Sequence, residues 1–170
     1  MLVLGDPLDP AVDVGPLANR RQLETVLSYL ELGRQEGAEA VAGGERASGS
    51  PELERGYFVE PTVFADVAPN ARIAREEIFG PVLAIMPYDD EAEAVAIAND
   101  TQYGLAAGVW SADPQRARGV ARQIRSGQIR INNGAPNPLA PFGGFRQSGH
   151  GREYGKFGLE EFLSPKSLQL

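Results

Sequence analysis

An α/β fold with a mostly parallel sheet and helical crossovers is what this sequence predicts, on three observations. Short apolar runs, "PVLAIM" (81–86), "LAAGVW" (105–110) and "QIRIN" (128–132), recur along the middle of the chain. Between them lie stretches that open with helix-start signals, so the order strand, helix, strand, helix, strand implies parallel pairing through right-handed crossovers. After the last run comes a glycine- and proline-rich passage, residues 132–158. Long loops of that kind in a compact domain usually serve a function. In such sheets ligands gather beyond the carboxyl ends of the strands.

Each element has a local reason. Residues 5–18, "GDPLDPAVDVGPLA", are too rich in proline and glycine for regular structure and read as an extended surface segment. Asn19 can cap a helix through its side-chain oxygen, with Gln22 three residues on in an approximate capping box. Leu23, Val26, Leu27 and Leu30 then follow the spacing of one apolar helix face, which Gly33 or Gly37 can close. "AEAVA" (38–42) is a short strand pattern and 43–56 reads as loop. The aromatic and β-branched run "YFVEPTVF" (57–64) is extended chain interrupted by Pro61. "NARIAREE" (70–77) is a short helix. Asp89, Asp90 and Glu91 place negative charge at the positive end of the next helix. Asp113-Pro114 is a cap followed by a first-turn proline, and Ala117, Val120, Ala121 and Ile124 line one side of that helix up to Gly127. Trp110 ends a buried-strand run and is expected in the core.

Composition narrows the function. The chain has 170 residues, 42% hydrophobic and 23% charged, which is ordinary globular composition. A net charge of −7 argues against nucleic acid and against an anionic membrane surface, since both need a basic face. No apolar run approaches the roughly 20 residues needed to span a bilayer. The N-terminus lacks the basic start of a signal peptide, so a cytoplasmic protein is expected. There is no cysteine and a single histidine, which leaves no thiolate nucleophile and no expected metal site. The arginines at 116, 118, 122 and 125 read as a solvated helix face.

Two stretches carry candidate chemistry. In "EEIFGPV" (76–82) two carboxylates stand beside two large apolar residues. One reading makes this a helix end followed by a buried strand, with Phe79 in the core. The other has Glu77 accepting hydrogen bonds from a ribose diol, two oxygens to two hydroxyls, while Phe79 packs on a flat ring. "PFGGFRQSGHGRE" (141–153) is not a dinucleotide fingerprint, because Tyr154 stands where a third glycine would be and no strand–turn–helix unit surrounds it. Arg152 and Glu153 pair in a solvated turn, or Glu153 is a buried, tuned carboxylate. His150, alone between glycines, is a loop residue.

Taken in order, "GDPLDPAVDVGPL", "GYFVEPTVF", "REEIFGPV", "ANDTQYGLAAGVW", "IN" and "PFGGFRQSGHGRE" resemble the C-terminal third of the NAD(P)-dependent aldehyde dehydrogenases. Any one motif is weak, but six in register are strong, and the resemblance favours the ligand reading of residues 76–82. It implies that residues 1–159 are the C-terminal part of the catalytic domain and that 160–170, "EEFLSPKSLQL", is a strand for subunit pairing. The family reaction it implies has a cysteine thiolate attack the aldehyde, hydride pass to the nicotinamide, and a glutamate-activated water release the acid.

By position, Glu77 resembles the residue that holds the nicotinamide ribose and Phe79 its packing partner. Asn132 opens a loop that resembles the lining of the substrate tunnel, and Phe142 an aromatic wall of it. Glu153 resembles a carboxylate that relays protons from the water-activating glutamate. The cofactor implied is NAD or NADP, the partner a small-molecule aldehyde. The family's nucleophilic cysteine and Rossmann-type domain have no counterpart in these residues. Two expectations follow: a fragment inactive by itself, which joins a complementary N-terminal part or forms a homo-oligomer, or a non-catalytic module that pairs with full-length subunits through 160–170.

Overall fold

A computed structural model describes residues 2–169 and divides the chain into two compact units, Met1–Pro87 and Tyr88–Leu170. Among the described residues no helix is long and apolar enough to cross a membrane.

The first unit is built on helix α1 (Arg20–Gln35). Asn19 caps it as expected, its side-chain oxygen accepting from the Gln22 N–H at 2.9 Å. The choice between the two glycines is resolved by geometry. Gly37 has φ of +84°, a conformation that favours glycine, and closes the helix. Gly33 instead lies inside α1, where an added Cβ would come within 2.9 Å of the Phe64 ring. Its missing side chain lets strand and helix approach.

Three strands follow: β1 (Glu39–Ala42), β2 (Thr62–Ala65) and, after the short helix α3 (Arg72–Arg75), β3 (Val82–Ala84). The central strand β2 pairs antiparallel with β1 and parallel with β3. Phe64 projects from β2 into a core of Leu23, Val26, Leu30, Val59, Val67, Ala71 and Ile73. A helix absent from the sequence reading, α2 (Pro51–Arg55), occupies part of the expected loop. Its signal was legible, because Ser50 caps it and Pro51 takes the first turn.

The second unit contains α4 (Glu91–Asn99), β4 (Ala106–Val109), α5 (Pro114–Ala121) and β5 (Gln128–Ile131), with β4 and β5 parallel as expected. Asp90 and Asp113 cap the two helices through their carboxylates. Ala117 and Ala121 are buried on α5.

Three expectations need correction. The run 81–132 does not form one continuous parallel sheet, because β3 pairs with β2 and the β4–β5 pair makes a sheet of two strands. Trp110 is not core; it is 64% exposed. Its ring lies over Gly108, where an added Cβ would stand 2.5 Å from it, so the indole covers a bare stretch of its own strand. The third concerns the loop 132–158, which leaves the carboxyl end of β5 but does not stay there. Phe145 donates its N–H to the Gly104 carbonyl, and Ser148 Oγ accepts from the Gly104 N–H. The Gly143 carbonyl sits where a Gly127 side chain would be. Gly104 and Gly127 precede β4 and β5, so the middle of the loop returns to the amino ends of the strands. Glycine at both positions makes that return sterically possible.

The C-terminal stretch contains α6 (Gly155–Glu160). Residues 163–169 carry no helix or strand, so the start of the expected pairing segment lies in α6 and the rest is irregular. Leu170 lies outside the described residues.

Candidate functional site

The two carboxylates of "EEIFGPV" have different fates. Glu76 follows the last residue of α3 and is held by three hydrogen bonds from two residues. Arg72 Nε donates to its Oε1 at 2.7 Å and the Arg72 terminal nitrogen to its Oε2 at 2.9 Å. The Tyr29 hydroxyl, from α1, donates to the same Oε2 at 2.7 Å. These hydrogen bonds, the arginine's first and the tyrosine's second, hold the Glu76 carboxyl down to about 2 from its ordinary 4.5 and raise the Arg72 guanidinium in turn. Glu76 is a structural anion.

That shift has a measurable sign. A carboxyl whose pKa is lower in the folded chain stabilises the fold fully above its ordinary value and loses the contribution as pH falls through the folded one. The chain and its Glu76→Gln variant should therefore differ most in denaturant midpoint near pH 7. The gap should close between about pH 4.5 and about 2. A gap constant across that range would contradict the assignment.

Glu77 and Phe79 face elsewhere. Both are exposed, Phe79 at 73%, and both line a cleft of about 550 Å³. This lies within the range usual for small-molecule sites. The remaining walls come from the segment 14–18, including Pro16 and Leu17, and from Gln22, Val59, Ile78, Gly80 and Pro81. The reading that placed Phe79 in the core is thus corrected: the strand β3 starts three residues later, and the ring stands at the cleft.

The cleft's floor is fixed by contacts the sequence only half revealed. Gln22 was expected to complete a capping box, but its side-chain amide instead donates to the Phe79 carbonyl at 2.6 Å. Leu17, another lining residue, donates its N–H to the Tyr57 carbonyl at 2.8 Å, which anchors the segment 14–18. Gly80 packs on α1, where an added Cβ would meet Val26 at 2.6 Å. The spacing of Gln22 from Asn19 pointed to a local partner, and only the fold shows the distant one.

In the second unit Phe142 and Glu153 come together as backbone partners. The Phe142 N–H donates to the Glu153 carbonyl at 2.9 Å and the Glu153 N–H returns a bond of 2.7 Å. The Phe142 ring lies 5.4 Å from that of Tyr154. Glu153 is exposed, which sets aside the buried alternative. Arg152 donates to the Gly144 and Gly151 carbonyls and lies over the Phe145 ring. Asn132, with φ of +49°, joins both ends of its side-chain amide to the Ser111 backbone, at 2.9 Å each. His150 is exposed, as expected. Among the described residues no group of three or more His, Asp or Glu is placed to hold a metal ion.

The model of the aldehyde dehydrogenase family matches residues 1–168. The chain belongs to that family. An aldehyde dehydrogenase relative from Pseudomonas sp, 3-succinoylsemialdehyde-pyridine dehydrogenase, is 51% identical over 98% of this chain and 35% of its own length. Betaine aldehyde dehydrogenase of Brucella anthropi is 48% identical over 97% of this chain and 34% of its own. Among solved aldehyde dehydrogenases, a mutant of aldehyde dehydrogenase C from Pseudomonas syringae in complex with NAD+ and octanal superposes with a TM-score of 0.90 at 49% identity. It is covered over 33% of its length by 96% of this chain. Mycobacterium tuberculosis aldehyde dehydrogenase complexed with NAD+ gives 0.90 at 47% identity, over 99% of this chain and 36% of its own. The chain spans about a third of the length of the curated relatives it matches. The family is one of oxidoreductases, and the two solved members above hold NAD+.

Proposed function

We propose that this chain supplies the nicotinamide end of the coenzyme site and part of the substrate tunnel of an aldehyde dehydrogenase acting with NAD or NADP. The observation that carries the reading is the pairing of an exposed carboxylate with an exposed ring at one cleft. Glu76 is spent on Arg72 and Tyr29, so Glu77 is the member of the pair turned to the opening. A carboxylate accepts from both hydroxyls of a ribose diol, and Phe79 offers a flat apolar face for the adjoining ring. The bound coenzyme supplies the hydride acceptor. Glu77 and Phe79 bind and orient it, while the walls at Pro16, Leu17 and Pro81 exclude water from one side of the ring.

In this reading Asn132 shapes the mouth of the substrate tunnel through its grip on Ser111. Phe142 provides an aromatic wall, and Glu153, tied to it by two backbone bonds, relays away the proton taken from the water that releases the acid. Catalysis of the whole reaction needs a thiolate, which this chain does not contain.

Nicotinamide mononucleotide tests the binding half without the rest of the enzyme. Two charge-assisted hydrogen bonds from the ribose and one ring contact, set against the ordering cost of association, imply weak binding, with a dissociation constant on the order of 1 mM or higher. Titration followed by amide chemical shifts should move residues 77–80. The Glu77→Gln variant should weaken binding about ten-fold or more. Equal binding by wild type and variant would refute the role of Glu77.

Residues 160–170 are proposed as the subunit-pairing segment, supported by the exposure of Phe162, Leu163 and Leu168. Exposed apolar groups in such number favour association. Light scattering should give a mass above 18.2 kDa that falls when residues 160–170 are deleted. A monodisperse monomer across concentrations would remove this proposal, and with it the non-catalytic pairing module.

A further inference from the structure

Helix α1 touches the segment carrying Glu77 at three points. Gln22 holds the Phe79 carbonyl, Val26 packs on Gly80, and Tyr29 holds the Glu76 carboxylate. Gln22 and Tyr29 are seven residues apart, two helical turns, so they share a face. Seven residues rise about 10 Å along a helix. The three steps from Glu76 to Phe79, in extended chain, also span about 10 Å, and Glu76 has the extended angles φ −104° and ψ 151°. The two lengths match, and the order is reversed: the earlier helix residue meets the later segment residue.

We infer that this face of α1 is a template that sets the backbone of residues 76–79, making Tyr29, acting through Glu76, and Gln22 positioning residues for the Glu77 carboxylate. Between its two held ends the segment has only Glu77 and Ile78. Ile78 is half-buried and packs against the core, which leaves Glu77 turned outward. A short segment pinned at both ends has few backbone states, so the direction in which the Glu77 side chain leaves the backbone is set before any ligand arrives. Pre-orientation of this kind removes part of the ordering cost of binding. Arg72 holds Glu76 from the other side, and Glu36 in turn accepts from the Arg72 N–H at 2.9 Å, so the Tyr29 anchor is itself braced.

The consequence for coenzyme binding rests on the function proposed above, but the template is testable without any coenzyme. Amide relaxation on the 170-residue chain should give order parameters near 0.85 for residues 77–79, as for rigid backbone. Gln22→Ala and Tyr29→Phe should each lower them. The double variant should bring them below about 0.6 while the amides of Thr62–Ala65 keep their wild-type values. Glu76→Gln, which retains an acceptor for the Tyr29 hydroxyl, should preserve more order at 77–79 than Glu76→Ala. Unchanged values at 77–79 in the double variant would overturn the template. So would a loss spread equally over β2, the mark of general destabilisation. Failure of the coenzyme reading shows separately, as an absence of shifts with nicotinamide mononucleotide in the wild-type chain.

Discussion

Supplied with NAD+ and an aldehyde, the purified 170-residue chain should form no NADH above the uncatalysed rate. The family reaction depends on a covalent step, and a covalent step needs an activated nucleophile. This chain has no cysteine, and its one histidine is an exposed loop residue between glycines. A serine without a neighbouring base is a weak nucleophile. Removing a covalent route of this kind forfeits most of an acceleration that is on the order of 10⁶-fold or greater. Co-expression with the first two thirds of a homologous dehydrogenase, which brings a thiol and a dinucleotide-binding domain, should restore turnover. In such a complex Glu77→Gln should impair use of the coenzyme. Aldehyde-dependent NADH formation by the isolated chain would contradict the assignment of its residues to binding and positioning alone.

The largest effect on stability belongs to Phe64→Ala. Phe64 is fully buried, at the middle of β2, and reaches across to the α1 backbone at Gly33. Removing the ring costs about 3–5 kcal/mol, since the transfer energy of the lost atoms adds to the cavity left behind. Small domains have about 5–15 kcal/mol in all, so the variant loses much of its reserve. Partial refilling is blocked on one side, because Gly33 has no side chain to move in. Urea denaturation followed by circular dichroism should show a midpoint far below wild type. A shift under 1 kcal/mol would mean that the core is not arranged around this ring.

Much of the fold was legible because its signals are local. Asn19 and Asp113 announced their helices as caps, the acidic run at 89–91 announced a helix start, and the spacing of Leu23, Val26 and Leu30 announced the buried face of α1. What the sequence hid was pairing at a distance. Whether β3 adds to β2 or to β4 depends on partners that no run of six residues encodes. Trp110 looked like core because large apolar residues usually are, yet a two-stranded sheet leaves one in the open. The return of the 132–158 loop to the amino ends of the strands depends on Gly104 and Gly127, whose value lies in an absent side chain that only a neighbour reveals.

The candidate site shows the same divide. Glu77 and Phe79 could be nominated from residue type and order. That Glu76 is spent on Arg72 and Tyr29, while Glu77 is not its equivalent, needed the tertiary contact across 47 positions. Gln22 was visible only as a capping residue, because its long-range bond to the Phe79 carbonyl has no sequence signature.

The most direct test is the intermolecular nuclear Overhauser effect between nicotinamide mononucleotide and the chain. Contacts are expected from the pyridine protons to the Phe79 ring, with the ribose protons near residues 77 and 78, all weakened in Glu77→Gln. Contacts confined to another part of the chain, or contacts at Phe79 that survive the Glu77 substitution undiminished, would contradict the coenzyme reading.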